Sequence, residues 1–164
     1  MKRILAIAAS ICLLCVALCG CQPSGTADPT GTTYNMSHGL DAHQYCLFVN
    51  RHINVVANQL ISQAMLASRY NEGSETESFI ASVENSLQVI IDSRHEVEIM
   101  APPDQYAENR ANTLRLMDDA KDDMNALLEE LKKTNIDEGK INALASEMQT
   151  DFIALLAEFD VYYK

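Results

Sequence analysis

From Leu40 to the C-terminus the chain has almost no residues that interrupt a helix, and this limits its fold more than any other feature. In that stretch the only glycines are Gly73 and Gly139, and the only prolines are Pro102 and Pro103. Gly and Pro are the residues that break helices. They divide the chain into four segments of similar length, about 41–71, 75–100, 104–133 and 137–163. Each segment repeats apolar residues at three- and four-residue steps, the period of one helix face. The first has Cys46, Val49, Ile53, Val56, Leu60 and Ala67, and the second Ile80, Val83, Leu87, Ile90 and Val97. The third has Tyr106, Leu114, Met117, Met124, Leu127 and Leu131. The fourth is the most regular, with Ile141, Ala145, Met148, Phe152, Leu155, Phe159 and Tyr162. No segment alternates for long enough to read as a strand.

Start signals agree with these divisions. Ser74-Glu75-Thr76-Glu77 is a capping-box pattern, with Ser74 accepting from the first turn and Glu77 reaching back. Asp104 follows the two prolines, and Asp137-Glu138 opens the last segment, so acidic groups meet positive helix ends. Four helices of roughly 40 Å each, joined by short turns, predict an all-α, antiparallel up-down-up-down four-helix bundle over residues 41–164.

The first 40 residues are of a different kind. Lys2 and Arg3 precede an uncharged, mostly apolar run from Ile4 to Leu18. That run is shorter than the roughly 20 apolar residues of a transmembrane helix but suits the core of a signal peptide. It ends in Leu18-Cys19-Gly20-Cys21, which resembles the lipobox of bacterial lipoproteins. Cys19, Cys12 and Cys15 are preceded by Leu18, Ile11 and Leu14, too large for the position that takes Gly, Ala or Ser. The resemblance implies a diacylglycerol thioether on Cys21, cleavage after Gly20 and further acylation of the new amino terminus. Two or three acyl chains anchor stably where one is marginal. The expected location is the extracytoplasmic face of a membrane, at the cell surface or on the periplasmic side.

Residues 21–40 then read as a lipidated flexible tether, because Pro, Gly, Ser, Thr and Asp dominate with no apolar period. Its length is on the order of 25 Å as a coil and roughly 60 Å fully extended.

Charge and cysteines bound the rest. The whole chain has a formal net charge of −11, from 12 basic and 23 acidic residues. Removing residues 1–20 takes away Lys2 and Arg3 and no acidic residue, so the mature form is more acidic still. Such a chain argues against nucleic acid as a partner, since phosphate neutralisation needs clustered Lys and Arg. Docking on anionic lipid is equally disfavoured, which leaves a lipid anchor as the means of membrane attachment. Cleavage would also leave only Cys21 and Cys46, and a thioether on Cys21 rules out an intramolecular disulfide. The fold must then be held by its core.

Few residues suggest chemistry. Asp92 and His95 have the carboxylate–histidine spacing of di-iron bundles, but such sites need two such pairs and further inward carboxylates, and no second pair exists. No metal or cofactor is expected. The methionines are scattered and read as core filler, and Cys46 lies on an apolar stripe where buried thiols are usual. No nucleophile elbow or phosphate loop is present, so no catalytic residue is assigned. The run Asp118-Asp119-Ala120-Lys121-Asp122-Asp123 lacks the spacing and glycine of an EF-hand and reads as a solvated helix face.

One constellation suggests binding. In an antiparallel bundle, residues equidistant from a turn lie at one height. Reflection of Arg94 through Pro102-Pro103 falls near Arg110, and through Gly73 near His52, while Arg110 reflected through 134–138 falls near Tyr162. Arg94 and Arg110 are expected on core stripes, where a cation needs a partner. The same end gathers Tyr45, Phe48, Tyr106, Phe159, Tyr162 and Tyr163. His52, Arg94, Arg110, Tyr106 and Tyr162 are therefore the candidate ligand-binding residues, for an anionic or aromatic ligand. The alternative is that Glu98, Glu108 or Asp160 pairs with the arginines and the aromatics close the bundle. The function expected is that of a non-enzymatic, membrane-anchored binding module with an envelope protein as partner. The second possibility is a carrier or sensor of a small ligand at that end.

Overall fold

The computed structural model describes residues 40–71 and 75–163. The signal-peptide region, Cys21, the tether up to Gly39 and Ser74 lie outside the described residues. The rest is a four-helix bundle: α1 (Ala42–Ala67), α2 (Thr76–Ile99), α3 (Ala107–Leu131) and α4 (Glu138–Tyr163), with a 3-10 turn (Asp104–Tyr106) before α3. Each helix packs against the one before and after it in the chain, and α1 closes the ring on α4. Across the diagonal, α1 also meets α3. The topology is up-down-up-down and antiparallel, as the four apolar stripes predict. Among the described residues, no helix is long and apolar enough to cross a membrane.

The helix ends show how local sequence sets the boundaries. Asp41 caps α1: its carboxylate accepts the Gln44 N–H at 2.8 Å, and Gln44 Oε1 accepts the Asp41 N–H at 3.4 Å. This reciprocal box satisfies two donors at the helix start. At its start α2 begins at Thr76 with Glu75 at the boundary position, and Glu75 makes no side-chain capping bond; Ser74, the expected cap, lies outside the described residues. Asp104 opens the 3-10 turn instead of α3 itself, so α3 begins three residues later, at Ala107. At α4, the Asp137 carboxylate accepts the Lys140 N–H at 3.1 Å, as an acidic residue at a helix start should.

Apolar side chains make up most of the core along the length of the bundle. Tyr45, Val49, Ile53, Val56, Leu60, Ala64 and Ala67 of α1 are fully buried, at the predicted spacing. They meet Val83, Ile90 and Val97 of α2, Met117, Ala120, Met124 and Leu127 of α3, and Ile141, Met148 and Leu155 of α4. Six expected stripe residues are only half-buried, Ile80, Leu87, Tyr106, Leu114, Phe152 and Phe159, while Phe79, Ser86, Thr113 and Glu158 are buried beside four of them and Leu155 is sealed. Cys46 is buried and free.

Two polar ties cross the helix seams. Gln63 of α1 donates to the Ser82 and Ser86 hydroxyls of α2 at 2.9 and 2.8 Å, and Ser86 donates to Gln59 at 2.8 Å. At the α3–α4 turn, buried Glu130 accepts from Lys133 at 2.7 Å, Lys140 at 3.1 Å and the Asp137 N–H at 3.1 Å. These donors hold its carboxyl well below the usual range, at about 2, with Lys133 the main cause.

Candidate functional site

The end of the bundle where α1 begins and α4 finishes contains a cluster of tyrosines. Tyr45 enters from the first turn of α1, Tyr106 from the 3-10 turn and Tyr162 from the last turn of α4. Their ring centroids lie 5.9 Å (Tyr45–Tyr106), 5.5 Å (Tyr106–Tyr162) and 6.2 Å (Tyr45–Tyr162) apart. These are contact distances for aromatic pairs, so the rings fill the space between them. Burial pushes the Tyr45 hydroxyl up to about 12, against an opposing pull from Arg110, and burial raises Tyr162 as well. Both phenols stay protonated at neutral pH and offer hydrogen bonds instead of proton transfer.

Against the rings lies a hydrogen-bonded cluster of polar side chains that the sequence patterns missed. The Tyr162 hydroxyl lies 3.1 Å from the Thr113 hydroxyl. Glu158, almost fully buried, accepts from Asn112 at 2.6 Å and from Thr113 at 3.3 Å. Its position on α4 falls between the expected stripe residues Leu155 and Tyr162, where a carboxylate gives no apolar signal. The Tyr45 hydroxyl and Asn50 Oδ1 are buried without a hydrogen-bond partner.

The two arginines are not on the core stripes. Arg94 is partly exposed and binds Asp118 of α3 at 2.8 Å and Glu98, one turn along α2, at 2.7 Å. The Asp118 bond raises the Arg94 guanidinium, and Arg94 in turn is the main cause that lowers Asp118. Arg110 is partly exposed and donates to the main-chain carbonyls of Val97, at 3.2 Å, and Glu98. Of the three carboxylates expected as partners, Glu98 binds Arg94. Asp118, which was not expected, supplies the other half of that site. The reflection is about one turn off, because the 3-10 turn lengthens the connection before α3. Arg110 therefore meets Val97 and Glu98 instead of lying level with Arg94.

His52 sits apart from the tyrosines, against Phe48 at a ring distance of 4.6 Å. Burial lowers its pKa, Arg51 adds to that and Glu96 opposes it, so the ring is neutral at pH 7. Its Nδ1 is buried without a partner. Of the five candidate residues, Tyr106 and Tyr162 are in contact, with Tyr45 against both and Arg110 acting on Tyr45. Arg94 and His52 are engaged elsewhere.

Asp92 and His95 are both exposed and off the core. His95 lies 4.0 Å from Glu98, and Asp92 accepts from Gln88 at 2.8 Å. Among the described residues, no group of three or more His, Cys, Asp and Glu is arranged to hold a metal ion. Comparison with family models, with curated proteins and with solved structures gives no match.

Proposed function

We propose that this chain is a lipid-anchored envelope protein, tethered through Cys21, whose helical bundle acts as a non-enzymatic binding module for a partner protein. The anchor rests on the Leu18-Cys19-Gly20-Cys21 pattern behind an apolar run of signal-peptide length. One observation supports binding through the outer surface over an internal pocket. Tyr45, Tyr106 and Tyr162 pack on one another, while both arginines are occupied by the protein's own groups. The chain's net negative charge would favour a partner with basic contact residues.

A second reading has its own support. The buried, unpartnered Tyr45 hydroxyl and Asn50 carbonyl would suit a small polar or aromatic ligand inserted at that end. Native mass spectrometry of the protein extracted from membranes separates the two. A bound polypeptide supports the binding module, and a bound mass of a few hundred daltons supports the carrier. A bare chain with no retained mass, extracted under gentle conditions, contradicts both.

A further inference from the structure

Away from the tyrosine end, the α3–α4 seam opens at mid-height into a cleft of about 380 Å³ lined by Asp119, Asp122, Asp123, Glu147, Thr150 and Asp151. Five of these six side chains are carboxylates, contributed by both helices. Asp123 is only half-buried as a residue, but its Oδ2 is buried with no hydrogen-bond partner. A buried carboxylate oxygen without a donor is costly as an anion and inexpensive once protonated.

The surrounding cations do not relieve it. On α3, Arg115 binds Asp119 at 2.7 Å and Asn112 at 3.0 Å. Lys121 binds Asp118 at 2.7 Å and lies 3.8 Å from Asp122. On α2, Arg94 is taken by Asp118 and Glu98, and Glu84 pairs with Lys132. Between Ile53 and Ala67, α1 has no charged residue. On α4, the groups facing Asp123 are Glu147 and Asp151, both acidic. Asp123 of α3 and Asp151 of α4 line this cleft from facing helices, and a proton on one carboxyl is the only donor either could offer the other.

We propose that Asp123 and Asp151 form a proton-sharing carboxyl pair that clamps α3 to α4, so that the seam is tight in mild acid and loosens as the pair loses its proton. Burial, followed by the charges of Asp151 and Glu147, raises Asp123 to about 7, and burial raises Asp151 too. Because the folded-state value lies above the ordinary aspartate value, the contribution is complete in acid. It is lost as pH rises through about 7. His52 works in the opposite direction, since burial lowers it and acid must charge it. Comparing wild type with a variant altered only at the pair removes that background.

The test is the melting temperature of the full-length protein from pH 5.5 to 8.5. Wild type should melt at progressively lower temperature as pH rises through 7. Asp123→Asn, which keeps the shape of the protonated acid and a donor for Asp151, should melt above wild type at pH 8.5. Its pH slope should be shallower by up to one proton per chain. Asp151→Asn should act in the same direction. Equal slopes in wild type and both variants would overturn the proposal. So would restoration of wild-type melting at pH 8.5 by millimolar calcium or magnesium, since a cation and not a proton would then occupy the cleft. Failure of both asparagine variants to fold at pH 8.5 would equally overturn it, because a neutral side chain is what the pair requires there.

Discussion

Arg110 is the clearest case of a residue whose role can be put to a quantitative test. The last carbonyls of α2 have no partner within the helix. The chain leaves Met100 in an extended conformation, with φ −79 and ψ 118, and Pro102 then prevents the helix from continuing. No glycine is present to supply the usual left-handed cap. Instead the Arg110 guanidinium reaches across from α3 and donates to Val97 and Glu98. A hydrogen bond from a charged donor is worth roughly 1.5–3 kcal/mol when shielded and less at a partly wet site. Because Arg110 is half-exposed, the two bonds together should contribute about 1–2 kcal/mol. Arg110→Met keeps the length of the side chain and removes both donors. Thermal denaturation followed by circular dichroism should show a fall of about 3–8 °C. Arg110→Lys should recover only part of this, since an ammonium lacks the planar fork. A methionine variant as stable as wild type, or more so, would refute the capping role. It would mean that the arginine is costly in the folded state and was retained for something outside the fold.

Leu155→Ala should cost about 2–5 kcal/mol in chemical denaturation, and Phe152→Ala clearly less, since Leu155 is sealed in the core and Phe152 is half-buried. The reverse order would mean that the α4 register is wrong. Glu130→Gln should weaken the α3–α4 turn at neutral pH. Because the folded-state value of Glu130 is depressed, its contribution is present above the ordinary carboxylate range and lost as pH falls toward about 2. The stability gap between wild type and Glu130→Gln should therefore narrow on acidification, and a gap independent of pH would contradict the Lys133 and Lys140 pairing.

The fold was legible in the sequence because helix period and helix breakers give the same answer. Gly139, Pro102 and Pro103 fall at observed ends, and most stripe residues from Val49 to Leu155 are buried. The tyrosine cluster was also foreseeable, since equal distance from a turn implies equal height. The arginines were harder to place. A long side chain one turn from its expected level reaches a different partner, and the 3-10 turn at Asp104–Tyr106 introduces that offset without a strong sequence signal. Buried polar groups were the least visible. Thr113, Glu130 and Glu158 carry no apolar label, although each is held by specific hydrogen bonds. The acidic run at Asp118–Asp123 is in part a solvated face. Asp123, however, turns its Oδ2 inward, which depends on the facing α4 residues Glu147 and Asp151 and not on its own neighbours.

The most direct test of the proposed anchored module is metabolic labelling with a fatty acid, followed by membrane fractionation of wild type and Cys21→Ser. The account predicts a labelled wild-type protein in the membrane fraction. It also predicts an unlabelled Cys21→Ser protein that is either held as uncleaved precursor or released from the membrane. Label retained by Cys21→Ser, or a wild type that is never labelled, would contradict it.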